Sequence, residues 1–214
     1  PVPYMNQKGV VERDFTKKES YYVFQSYWTN TPMAHIYGHS WPVRWGDVGE
    51  EKMIKVYSNC TEAELFVNGK SMGKKKRNSQ SYPAAGLRWM VKYKEGENKI
   101  KVIAKTKEGQ EITDEITQEY QTAKWAKPAK LVLEKVSQSD SIVVIQARLY
   151  DENNILCLDA RNYVTFGLTG EGTLIDNQGT SDGSRKVQLY NGRAVISVNL
   201  NKGKSVASVK AEGI

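Results

Sequence analysis

Ala63-Glu64-Leu65-Phe66-Val67-Asn68-Gly69-Lys70-Ser71-Met72-Gly73 is the stretch whose reading decides the fold class. Residues 63–67 alternate in polarity, the period of a half-buried strand. Asn68-Gly69 is a strong short hairpin cue, because a type I′ turn needs positive φ at both central residues. The same period continues outward. Met53–Tyr57 reads as a strand before it, and Leu87–Val91, Ile100–Ala104 and Ile112–Tyr120 read as strands after it. Lys94-Glu95-Gly96-Glu97 and Lys107-Glu108-Gly109-Gln110 supply further turns. Short strands at this spacing predict a β-sandwich of immunoglobulin type over residues 33–122.

Gln121 to Pro128 breaks the pattern, and residues 123–128 read as a linker. A second β run follows over 129–214: Leu131–Leu133, Val143–Leu149, Val164–Leu168, Ala194–Val198 and Val206–Val209, with turns at Asp151–Asn154 and Asn191-Gly192. All five tryptophans lie at or before Trp125, so this run builds its core from aliphatic residues. Residues 1–32 differ from both. Thr16-Lys17-Lys18-Glu19 has the spacing of a capping box. Tyr21, Phe24 and Trp28 follow at i, i+3 and i+7, one face of a helix over about 17–28. The fold class expected is all-β, two sandwiches in tandem preceded by one helix. The stripe of Tyr21, Phe24 and Trp28 is expected to rest on the first sandwich near Trp41 and Trp45, with a neighbouring molecule as a supplement.

Composition bounds the function classes. The 214 residues have 39% hydrophobic and 26% charged content, which excludes collagen, a Pro-rich linker and a disulfide scaffold. Mean hydropathy is −0.58, and no apolar run approaches the roughly 18 residues of a membrane helix. No membrane insertion is expected. No signal-peptide pattern opens the chain, and its first residue, Pro1, leaves room for a leader or domain upstream. The net charge of +7 is spread as +1, +3 and +3 over residues 1–32, 33–122 and 123–214. The one dense run, Lys74-Lys75-Lys76-Arg77, reads as a lysine-guarded strand edge, not as a nucleic-acid surface. Cys60 and Cys157 fall in different predicted domains and read as two buried thiols.

Few residues suggest chemistry. His35 and His39 are four apart, but a zinc site needs further ligands and only Cys60 lies nearby, so no metal is expected. Asp176–Asp182 is a polar loop whose oxygens suit calcium; a plain loop is the simpler reading. Trp41 and Trp45 suit a sugar platform, or the plugging of one end of the sandwich. No phosphate loop, GxSxG, HExxH or CxxC is present, and no cofactor is implied.

The order of elements resembles the end of glycoside hydrolase family 2. Asn6–Asp14 with Lys17–Tyr22 and Gln25–Trp28 is similar to the last loop and helix of that family's (β/α)8 barrel. His35–Trp41, Val56–Cys60 and Glu64–Gly73 look like the sandwich that follows the barrel. Pro128–Leu131 and Gly170–Asn177 resemble a further invasin-like domain. The resemblance implies a bacterial parent that hydrolyses terminal β-galactosides or β-glucuronides, periplasmic or secreted, with its catalytic glutamates before Pro1. Residues 1–32 would then be the end of the barrel. The chain itself would be non-catalytic. Its partners would be the upstream barrel and the parent's carbohydrate substrate, and self-association is compatible with this. Asn6-Gln7-Lys8-Gly9 matches an Asn-x-Lys pattern that binds a uronate carboxylate in the family's β-glucuronidases, which would give Asn6 and Lys8 that role. The competing class is a stand-alone carbohydrate-binding or adhesive module, which open faces at Trp41 and Trp45 would favour.

Overall fold

The computed structural model describes residues 9–12, 15–78, 86–175 and 184–214. They form two compact units. One is Lys17–Thr122; the other is Ala123–Ile214 together with the described residues up to Thr16.

The first unit opens with α1 (Glu19–Trp28). Eight strands follow: β1 (Ala34–Ile36), β2 (Val43–Trp45), β3 (Glu51–Ser58), β4 (Glu62–Val67), β5 (Lys70–Lys76), β6 (Leu87–Lys92), β7 (Gly96–Lys105) and β8 (Glu111–Gln121). They make two sheets, ordered β1-β3-β6 and β2-β8-β7-β4-β5. Ile36, Val56, Leu65, Ile100 and Val102 are wholly buried between them, with Trp89 beside them. The alternation in β4 and β7 puts every second residue into this core, as a half-buried sheet requires. All five strands expected here are present. The short β1 and β2 and the lysine-rich β5 carry no alternation strong enough to mark them in the sequence.

Asn68 and Gly69 take φ of 51° and 80° at the β4–β5 turn, the left-handed pair that a type I′ turn demands. The Asn68 side chain fixes the turn to β7: its Oδ1 accepts from Lys99 N at 2.9 Å and its Nδ2 donates to Asn98 Oδ1 at 3.0 Å. β5 is the edge of its sheet and carries Lys74–Lys76, with Lys74 Nζ 3.8 Å from Glu64. The basic run is therefore an edge facing solvent and acidic neighbours.

The helix departs from expectation in two ways. It starts at Glu19, its N-cap is Lys18, and no side chain caps it. The capping box does not form, because the Glu19 carboxylate is drawn to His35 and the Gly38 N–H. The face turned to the sandwich is Glu19, Tyr22 and Ser26, also at i, i+3 and i+7. The stripe of Phe24 and Trp28 points outward, with Trp28 78% exposed. Polar pairing with β1 and its turn overrides the burial of the larger aromatics. Arg77 closes the other end: its Nη2 donates to Ser26 O at 2.8 Å, a cation at a helix C-terminus.

The second unit holds β9 (Pro128–Ser139), β10 (Ile142–Asp151), β11 (Tyr163–Gly170), β12 (Thr173–Ile175), β13 (Lys186–Gln188), β14 (Arg193–Asn199) and β15 (Ser205–Ala211). Its sheets run β12-β14-β10-β9 and β13-β11-β15. Leu149, Val164, Phe166, Leu189 and Ile196 centre a core against which the partly buried Trp125, from the segment read as a linker, also packs, so it is not purely aliphatic. Asp151 is fully buried where the 123–127 segment meets the turn after β10. Its carboxylate accepts from Ala126 N, Asn153 N and Ile155 N at 2.8, 2.9 and 2.8 Å, which holds its pKa below the usual value.

Cys60 and Cys157 are free, buried and in separate units. Burial, with Asp151 and Asp159 nearby, pushes the Cys157 thiol up to about 11. Intact-mass measurement without reductant should show no two-unit loss for a disulfide. Iodoacetamide at about pH 8 should leave Cys157 unmodified until the protein is denatured, since the thiolate is the reactive form. Rapid native alkylation of Cys157 would contradict its burial.

Candidate functional site

A cluster of ionisable side chains lies where α1 meets β1, with β8 beside it. His35 is on β1 and 5% exposed. Its ring stacks on Tyr22 of α1, centroids 3.4 Å apart and planes within 6°. Its Nε2 is 3.1 Å from Glu19 Oε2, and its Nδ1 is 4.0 Å from Asp114 Oδ2. Glu19 Oε1 accepts from the Gly38 N–H at 3.0 Å. Gly38 sits at φ 112°, and a Cβ there would lie 3.2 Å from Gln118 Nε2, so the position suits glycine alone. His39, in the turn after β1, stacks on the outer face of His35 and reaches Asp114 Oδ2 through Nε2 at 2.8 Å. The same Oδ2 accepts from Ile36 N at 2.6 Å.

Each charge in the cluster is tuned by its neighbours. Burial alone would raise Glu19 and Asp114. Hydrogen bonds outweigh it, from His35 and the Gly38 N–H for Glu19 and from His39 and the Ile36 N–H for Asp114, so both carboxyls end below their ordinary values. The hydrogen bond to Asp114 lifts His39 above 6.5 against the opposing effect of burial. Both carboxylates are engaged by a histidine and a backbone N–H. The cluster's contacts link α1 to β1 and its turn, and these to β8.

His35, His39 and Asp114 bring ligand atoms within 4.8 Å of one another, the composition of a metal site. Their arrangement differs from one. The two imidazoles lie within 13° of parallel, so their lone pairs run in side-by-side planes instead of meeting at a point. Asp114 Oδ2 and His39 Nε2 are already at hydrogen-bonding distance.

Sequence reasoning singled out the histidines and missed their partners. By spacing, Glu19 reads as a capping residue. Asp114 stood among the alternating polar residues of β8, yet it shares the inward row of Ile112, Ile116, Gln118 and Tyr120. A carboxylate in an inward row is the signal that marks it. The other candidates lie elsewhere. Asn6 and Lys8, and the 176–182 loop, fall outside the described residues. Trp41 is half-buried and edge-on to Tyr37, at 5.1 Å. Trp45 lies on β2 opposite Gln121 of β8, 37% exposed. Lys55 Nζ sits 5.0 Å over the Tyr37 ring.

Comparison with known proteins places these units. A profile described as a domain of unknown function (DUF4982) matches residues 49–113, from the end of the β2–β3 loop into β8. The chain is 41% identical over 208 residues to a putative β-glucuronidase of Formosa agariphila, covering 97% of this chain and 25% of that protein. It superposes on the crystal structure of Parabacteroides merdae β-glucuronidase with a TM-score of 0.93 at 59% identity, covering 100% of this chain and 27% of that one. The chain matches the C-terminal region of family 2 glycoside hydrolases. A β-galactosidase of Bacteroides ovatus is 28% identical over the whole chain, which covers 26% of its length. The chain thus spans about a quarter of the length of these relatives. The cluster of Glu19, His35, His39 and Asp114 therefore lies in a segment that matches the C-terminal region of those enzymes.

Proposed function

We propose that this chain is the supporting C-terminal part of a family 2 enzyme that hydrolyses β-glucuronides, with β-galactosides as the alternative substrate class. The observation that carries the reading is the 59% identity, maintained along the full chain, to a protein named as a β-glucuronidase. The orientation of α1 supports it. Phe24, Tyr27 and Trp28 are left open while the polar face is clamped to the sandwich, which suits a helix with a second large body to cover. In this reading that body is the upstream catalytic barrel. Asn6 and Lys8 would offer an amide donor and an ammonium to a substrate carboxylate, the pairing a uronate needs.

The chain alone should be inert. Purified protein mixed with aryl β-glucuronides or β-galactosides should release no phenol above buffer. A steady rate that disappears on substituting a single Asp or Glu of this chain would overturn the reading.

A further inference from the structure

We propose that Glu19, His35, His39 and Asp114 form a proton-dependent latch that holds α1 on its sandwich, closed at mildly acidic pH and loosened at alkaline pH. The geometry is that of a chain of contacts from helix to sheet. Glu19 of α1 meets His35 of β1, His35 is pressed between Tyr22 and His39, and His39 is tied to Asp114 of β8. Glu19 and Tyr22 also supply much of the face that α1 turns inward, so the attachment of the helix depends on the charge balance of this cluster.

The groups facing the latch set its working range. From α1 come Glu19 and Tyr22, from β1 and its turn His35, Tyr37 and His39, and from β8 Asp114. Lys55 and Tyr57 of β3, Arg88 of β6 and Arg44 of β2 lie around Tyr37 and Tyr57. Burial raises all three tyrosines, Tyr57 to about 12, so they stay neutral through the range that matters. The carboxylates and His39 remain. Glu19 and Asp114 have lowered values, so their contribution is present above the ordinary 4.5 and 3.8 and lost as pH falls through the lower folded values. His39 has a raised value, so its contribution is complete below 6.5 and lost as pH rises through the higher folded value. Between these limits the two carboxylates face the His39 imidazolium. Above them the cluster keeps both negative charges and loses the positive charge of His39, which attracts Asp114 directly and Glu19 of α1 at longer range.

Nuclear magnetic resonance on the whole chain tests this. The His35 ring protons, stacked 3.4 Å from Tyr22, should carry a strong ring-current shift while α1 is docked. From about pH 6 to pH 9 that shift should collapse and α1 amide protection should fall, by at most about tenfold per pH unit, the limit for one proton. Protection in β4 and β7 should stay constant. His39 is the exposed member of the cluster, so His39→Gln should fold, and its α1 protection should be flat over the same range. A flat profile in the unaltered chain, or a His39→Gln profile that still falls, would overturn the latch. So would restoration of α1 protection at about pH 8 by zinc chloride in a His39-dependent way, since that result would make the cluster a metal centre.

Discussion

Phe166→Ala should cost the second unit about 3–5 kcal/mol, the usual range for removing a buried aromatic ring. Phe166 is 1% exposed, stands on β11 opposite Val209 of β15, and packs in the cluster that holds Leu149, Leu189 and Ile196. A domain of this size has about 5–15 kcal/mol in total, so the substitution removes a large part of it. Calorimetry should show the transition of the second unit moved far down or lost. The transition of the first unit should stay in place, because Leu65, Ile100 and Trp89 belong to a separate cluster. Equal movement of both transitions would mean that the two units unfold as one.

Asn98→Ala should destabilise the first unit by about 2–4 kcal/mol, with several partners orphaned at about 1–3 kcal/mol each and water recovering part of the loss. Asn98 is wholly buried, and its amide meets groups on three sides. Its Nδ2 donates to Lys94 O at 2.7 Å and Gly96 O at 2.9 Å, and its Oδ1 accepts from Lys94 N and Asn68 Nδ2 at 3.0 Å each. The residue therefore binds the β6–β7 connection to the Asn68-Gly69 turn. Asn98→Asp should be no better, because a carboxylate oxygen would replace the amide that faces two carbonyls. Lys101→Ala, an exposed position on the same strand, should change stability by no more than about 0.5 kcal/mol. Urea midpoints measured on the three variants check the ranking.

What was legible in the sequence was local. The alternation of β4 and β7, the φ demands of Asn68-Gly69 and the aliphatic runs of β10 and β14 all express rules that span a few residues, and the structure follows them. The lysines of β5 announced an edge because an unpaired strand must be guarded. What was not legible depends on distant partners. Glu19 fits a cap by spacing, but a histidine 16 residues on and a glycine amide bind its carboxylate instead. That exchange also turns the helix, so the largest aromatics face outward. Asp114 meets His39 across 75 residues of chain. The other three carboxylates of β8, Glu111, Glu115 and Glu119, are exposed, which disguised it as one more surface charge. The family resemblance supplied what local rules could not: the expectation that a helix at this place has a second body to cover.

The most direct test of the account is a chimera in which this chain replaces the matching C-terminal segment of the Parabacteroides merdae β-glucuronidase. The fit is expected to be close, given 59% identity and a TM-score of 0.93 over the whole chain. The quantity to measure is its turnover of an aryl β-glucuronide beside that of the parent enzyme. If this chain is a C-terminal support that receives the catalytic region through α1, the chimera will hydrolyse the glucuronide at a rate comparable with the parent. A chimera that is folded and monodisperse but has no turnover would contradict it.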